Sequence, residues 1–167
     1  MTLFRPLAAF LLLAAAACAT IPRQAAAPSW YVMRHLQKAQ GQDPALSAEG
    51  ALNAERLASR FDGDRPAAIY VSTTRRARET AAPLAARLGL TAKEYDPGDT
   101  PGLVARVRAE TGTVLVVGHS NTVPEIVARL GGARPADLAE TDYGDIFRVR
   151  RDATVERLRL EAPSPSP

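Results

Sequence analysis

Trp30-Tyr31-Val32-Met33-Arg34-His35 is an apolar run that stops on an arginine and a histidine. Val114-Leu115-Val116-Val117-Gly118-His119 repeats the arrangement, with a glycine before its histidine. Short apolar runs of this kind read as strands buried on both faces. The chain has only two histidines, and each stands just past the end of one of these segments. In open α/β sheets, ligands bind beyond the carboxyl ends of the strands. The sequence therefore predicts one site holding both histidines.

The segments around these two strands complete an alternating pattern. Leu46, Leu52, Leu57 and Phe61 give apolar positions near helical spacing behind Ser47, a suitable N-cap. Asp62 to Pro66 is a turn, and Ala68 to Val71 is a second strand. Arg75 to Leu88 reads as a helix closed by Gly89. Thr91 to Tyr95 reads as a third strand, Asp96-Pro97-Gly98-Asp99 as a loop, and Pro101 to Glu110 as a helix. Thr113 to Val117 is the fourth strand, and a helix over Asn121 to Leu130 ends at Gly131-Gly132. Phe147 to Arg150 and Val155 to Leu160 read as two strands joined through 151–154. Strands alternating with helices imply a single α/β domain, with a mostly parallel central sheet and helices on both faces. Neither a Gly-x-Gly-x-x-Gly nor a Walker-type loop is present, so the common nucleotide folds lack support.

At 167 residues and 46% hydrophobic, the chain suffices for one domain with a real core. Its net charge of +3 is spread along the chain, without the basic blocks of nucleic-acid binders. A single cysteine excludes an internal disulfide and a cysteine-based zinc site. Two histidines without carboxylates at ligand spacing predict no metal. Residues 1–17 read as a secretory signal. Arg5 gives a positive start, and the apolar stretch Leu7 to Ala17 is too short for the about 20 residues a membrane span needs. Ala15-Ala16-Ala17-Cys18 resembles a bacterial lipoprotein box, although Ala15 stands where leucine is commonest. That reading makes Cys18 a lipid anchor; the alternative is ordinary cleavage after Ala19. Either way the mature protein is expected outside the cytoplasm, in the periplasm or cell envelope, and on the first reading as a membrane-anchored lipoprotein. Residues 18–29 read as a tether, 30–161 as the domain, and 162–167 as a disordered tail.

Tyr31-Val32-Met33-Arg34-His35, Ser72-Thr73-Thr74-Arg75-Arg76 continuing to Ala81, and Val116-Val117-Gly118-His119-Ser120-Asn121-Thr122 resemble the three motifs of the histidine phosphatase superfamily, the phosphoglycerate mutase-like proteins. They occur in the family's order, and the resemblance runs from Trp30 to Leu160. It implies a phosphoglycerate mutase-like fold and hydrolysis of phosphomonoesters through a phosphohistidine, with no cofactor. Leu36 stands where mutases have glycine, and their Trp-Asn element is missing. The pattern Arg-His-x-x-Lys…Asp-Pro-x-Leu-Ser-x-x-Gly, from Arg34 to Gly50, is more similar to the small bacterial phosphatases.

On that resemblance, His35 is the nucleophile. An imidazole attacks phosphorus only when neutral, and Arg34 beside it disfavours protonation. Its second nitrogen needs an acceptor to fix the tautomer, such as a backbone carbonyl. Arg34 and Arg76 clamp the phosphoryl oxygens with their planar forks. Arg76 is chosen because it stands four residues after Ser72, leaving Arg75 and Arg78 on solvated sides of the helix. His119 stabilises charge on the phosphoryl group, with help from amides at the following helix start. Ser120 and Asn121 are candidate caps of that helix, and Asn121 is also a candidate phosphate contact. Lys38 could add a cation at the pocket mouth or stand solvated. The proton donor is expected after the third strand: Asp96 first, Asp99 second, Glu94 third, each of which could instead be a turn residue. Glu140, Asp142 and Asp145 fall in a segment that could close over the site. The expected partners are a small phosphorylated substrate or a phosphorylated envelope component. Sugar phosphates, nucleotides and envelope glycolipids fit an exported enzyme better than cytoplasmic protein targets do. The alternative function is a non-catalytic phosphate-binding envelope module on the same fold.

Overall fold

A computed structural model describes residues 28–160. The expected signal segment, the Cys18 anchor, residues 18–27 of the tether and the 162–167 tail lie outside the described residues. The fold contains β1 (Ser29–Arg34), α1 (Ala48–Arg60), β2 (Ala68–Ser72), α2 (Arg75–Leu88), β3 (Lys93–Tyr95), α3 (Thr100–Ala109), β4 (Val114–Gly118), α4 (Val123–Arg129), β5 (Asp145–Arg150) and β6 (Val155–Arg159). The strands form one sheet in the order β3-β2-β4-β1-β5-β6. β5 alone runs against the direction of the other five strands. Ser29, placed in the tether by sequence, is the first residue of β1 and pairs with Arg150.

Side-chain alternation assigns the two faces. Tyr31, Met33, Ile69, Val71, Leu115 and Val117 pack under α1 and α2. Trp30, Val32, Tyr70, Val114 and Val116 pack under α3 and α4. Because both faces are covered, β1, β2 and β4 read as continuous apolar runs rather than alternating ones. Leu57 and Leu84 are fully buried on the α1/α2 side. Truncating either to alanine costs about 2–5 kcal/mol through lost transfer energy and a cavity. Leu52 corrects the helical assignment: it is 62% exposed, because α1 presents Ala54, Leu57 and Ala58 inward instead.

The caps explain the boundaries. The Ser47 hydroxyl accepts from the Gly50 amide at 3.1 Å and starts α1. Gly89, left-handed at φ 66°, ends α2. Gly50 has a second role, since a Cβ there would lie 2.1 Å from the Gln37 carbonyl oxygen. Only glycine lets α1 come this close to the loop that follows His35. β3 is shorter than its apolar signal, and α4 is reduced to seven residues.

Candidate active site

Strand register places the two histidines together. Arg34 pairs with Gly118 across β1 and β4. The next residue on each strand is a histidine, and the His35 amide donates to the Gly118 carbonyl at 2.9 Å. The imidazole centroids are 5.4 Å apart with the rings tilted 65°. Gly118 is required by a close approach: a Cβ there would meet the Thr122 hydroxyl at 2.9 Å and the Tyr95 hydroxyl at 3.0 Å.

His35 is 2% exposed, and its Nδ1 lies 2.8 Å from the Leu36 carbonyl oxygen. A carbonyl can only accept, so the proton sits on Nδ1 and the lone pair on Nε2. Burial pushes the His35 pKa down to about 4; the Leu36 carbonyl opposes this, and the charges of Arg34 and Arg76 add to it. The ring is therefore neutral at pH 7. Leu36 is fixed in turn, because its amide donates to the Thr80 hydroxyl at 3.0 Å.

His119 carries the opposite tautomer. Arg76 Nη2 lies 3.4 Å from its Nδ1, and a guanidinium only donates. Nε2 therefore holds the proton and donates to the Ser72 hydroxyl at 2.8 Å. Ser72 can pass its own hydrogen to the Thr74 hydroxyl at 3.1 Å. Burial also pushes the His119 pKa down to about 4, with Arg76 and Arg34 adding to it.

Two arginines bring their charge to both histidines. Arg34 is 2% exposed. Its Nη1 donates to the Ala139 and Asp142 carbonyls at 2.7 and 3.3 Å, and its Nη2 to Glu140 at 3.0 Å. Tyr143 lies beneath the guanidinium, with its ring centroid 4.4 Å away, and 6.1 Å from the His35 ring. Arg76 reaches Asp43 at 3.8 Å. The Nε–H groups of both arginines are buried with no acceptor. Two unsatisfied cationic donors beside two neutral imidazoles suit a tetrahedral oxyanion, whose oxygens would supply the missing acceptors.

The remaining candidates fall at the rim or away from it. An open cleft of about 410 Å³ runs between His119, Arg76, Thr74, Asn121, Thr122, Pro97 and Gly98. Asp96 is exposed, and its Oδ1 accepts from the Gly98 amide at 2.8 Å. Asp99 caps α3 by accepting from the Gly102 amide at 2.9 Å. Glu94 pairs with Arg78 at 3.3 Å on the surface. Arg75 and Arg78 are exposed on α2, as the motif spacing predicts. Lys38 forms a single backbone bridge with Leu46, and its charge acts on Glu140.

Two expectations are corrected. The amides of His119, Thr122 and Val123 are satisfied within their own turn. Ser120 caps nothing and donates to Glu140 at 2.6 Å. Asp145 lies outside the site, buried in β5 and paired with Arg157 and Arg159 at 2.6 and 3.7 Å. Tyr143 carries no signal in the sequence, because its position depends on a loop without periodicity.

Residues 29–98 match the sequence model of the histidine phosphatase superfamily (branch 1), a stretch that includes His35, Ser72 and Arg76. A comparison by sequence with curated proteins finds no match. Among solved structures, the chain is similar to the protein histidine phosphatase SixA complexed with tungstate. The identity is 20%, the TM-score is 0.59, and 78% of this chain and 94% of that one are covered. It is also similar to the mycobacterial glucosyl-3-phosphoglycerate phosphatase complexed with inorganic phosphate. There the identity is 18%, the TM-score is 0.59, and 80% and 95% of the two chains are covered. At these identities the likeness is one of fold.

Proposed function

We propose that this chain is a phosphatase that hydrolyses phosphomonoesters through a phosphohistidine at His35, without a metal. The observation that carries the reading is the tautomer of His35: its Nδ1–H is committed to the Leu36 carbonyl, leaving a neutral Nε2 lone pair beside two arginines with unsatisfied Nε–H groups. Arg34, Arg76 and His119 hold the phosphoryl oxygens and stabilise charge as it builds in transfer. Nε2 attacks phosphorus, the ester oxygen leaves, and water then hydrolyses the phosphoramidate. The tungstate and phosphate complexes of the structural neighbours support an oxyanion as the ligand.

The export signal and the Cys18 anchor expected from the sequence support an activity at the cell envelope, on a small phosphorylated metabolite or a phosphorylated envelope component. Loss of membrane retention in Cys18→Ala would support the anchor; unchanged retention would refute it. For the chemistry, the test is hydrolysis of p-nitrophenyl phosphate with EDTA present, beside His35→Ala. Turnover that resists EDTA and disappears in the variant is expected. Turnover that needs a metal, or survives the variant, contradicts the reading.

A further inference from the structure

Building on the phosphohistidine reading, we propose that Glu140, rather than Asp96 or Asp99, is the group that protonates the leaving oxygen and then accepts the proton of the attacking water. An alkyl phosphate must give up an alkoxide, which is a poor leaving group without a proton donor. Five carboxyl groups lie in the loops around the site. Asp96, Asp99 and Asp142 each spend an oxygen on a nearby amide. Asp43 reaches Arg76, but the same oxygen accepts from the Arg75 amide at 2.9 Å. Glu140 differs in that both of its oxygens are held by side chains of the site, Arg34 at 3.0 Å and Ser120 at 2.6 Å. Its loop is fixed by the Ala139 and Asp142 carbonyls on Arg34 Nη1, which leaves the buried Arg34 Nε–H facing no acceptor.

The carboxyl group thus stands at the edge of the guanidinium that would bind phosphate. It is also 75% exposed, so it can exchange protons with solvent. In the free protein the Ser120 hydrogen bond and the Arg34 charge keep it ionised, and Lys38 acts in the same direction. A phosphoryl group on Arg34 places negative charge next to it and favours proton uptake. The Ser120 hydroxyl can donate to the carboxylate or accept from the acid, so Glu140 stays in place in both forms.

The steps balance. The His35 Nε2 lone pair bonds to phosphorus, the P–O ester bond breaks with its electrons on oxygen, and the Glu140 proton moves to that oxygen. Water then bonds to phosphorus, the N–P pair returns to Nε2, the water proton moves to Glu140, and inorganic phosphate departs.

The test compares kcat/KM, which reports the steps up to leaving-group departure, for p-nitrophenyl phosphate and 2-glycerophosphate. The wild type is measured beside Glu140→Gln, Asp96→Asn and His35→Ala. Glu140→Gln keeps the shape and hydrogen bonds but cannot donate the proton. It is expected to lower kcat/KM for 2-glycerophosphate about 100-fold, and far less for the nitrophenyl ester, whose phenolate leaves unaided. Asp96→Asn should change both esters alike. His35→Ala should abolish turnover of both, and turnover surviving it overturns the underlying reading together with this one. Equal effects of Glu140→Gln on the two esters, or the leaving-group dependence appearing in Asp96→Asn, overturns the assignment of Glu140 alone.

Discussion

Two polar clusters sit at opposite ends of the same sheet. At the amino end, Asp64 is saturated: Tyr31 donates to one carboxylate oxygen, Thr113 donates to the other at 3.2 Å, and Arg148 lies 3.6 Å away. Arg148 in turn donates to Ser29 at 3.1 Å. Burial and the Asp64 contact raise the Tyr31 pKa, so its phenol remains a donor. At the carboxyl end, two arginines keep Nε–H groups without acceptors, and two imidazoles are held neutral against their ordinary tendency. The first cluster ties β1, β4, β5 and the loop before β2 together and leaves nothing to bind. The second leaves donors and a lone pair unused, at some cost in stability, and those unused groups are what an oxyanion can take.

The contrast is tested most severely by removing a phosphate clamp. Arg76→Ala should lower kcat/KM on the order of 10²- to 10³-fold. The urea midpoint should stay level or rise, because a guanidinium with a buried, unsatisfied Nε–H is gone. A large loss of stability would place Arg76 with the structural cluster instead.

Acid sharpens the same point. Both histidine pKa values lie near 4 in the folded chain against 6.5 otherwise. Between those values the unfolded chain binds protons that the folded chain refuses. Stability therefore falls as pH drops from 6.5 towards 4, by up to about 3 kcal/mol per histidine, and is flat above 6.5. Denaturation curves across that window should lose a large part of this slope in His35→Ala. An unchanged slope would mean that His35 is not held neutral. Turnover should likewise persist below pH 6.5, where an ordinary histidine is protonated.

The saturated cluster should respond in the opposite way. Asp64→Ala strands the Tyr31, Thr113 and Arg148 donors and should cost about 2 kcal/mol of stability, while kcat/KM is unchanged. The smallest effect is expected from Ser72→Ala, which frees the His119 tautomer: about tenfold in kcat/KM, or about 1.4 kcal/mol.

How much of this was legible in the sequence follows from distance along the chain. β1 and β4 announce themselves because both of their faces are buried, and Ser47 and Gly89 mark helix ends through local hydrogen bonding and a left-handed backbone. The convergence of His35, Arg76 and His119 follows from their standing at strand ends or the first turn after one. Leu52 misleads because helical spacing alone does not say which stripe of α1 faces the sheet. Glu140 and Tyr143 were illegible as partners of Arg34. They meet it only because a non-periodic loop folds back more than 100 residues later in the chain.

In the proposed reaction His35 Nε2 becomes covalently phosphorylated during turnover. The direct measurement is to quench the protein in alkali while it hydrolyses p-nitrophenyl phosphate, then map phosphorylated peptides by mass spectrometry. An acid-labile phosphoryl group is expected on His35 and is expected to be absent from His35→Ala. Steady turnover with His35 unmodified, or with the label on His119, would contradict it.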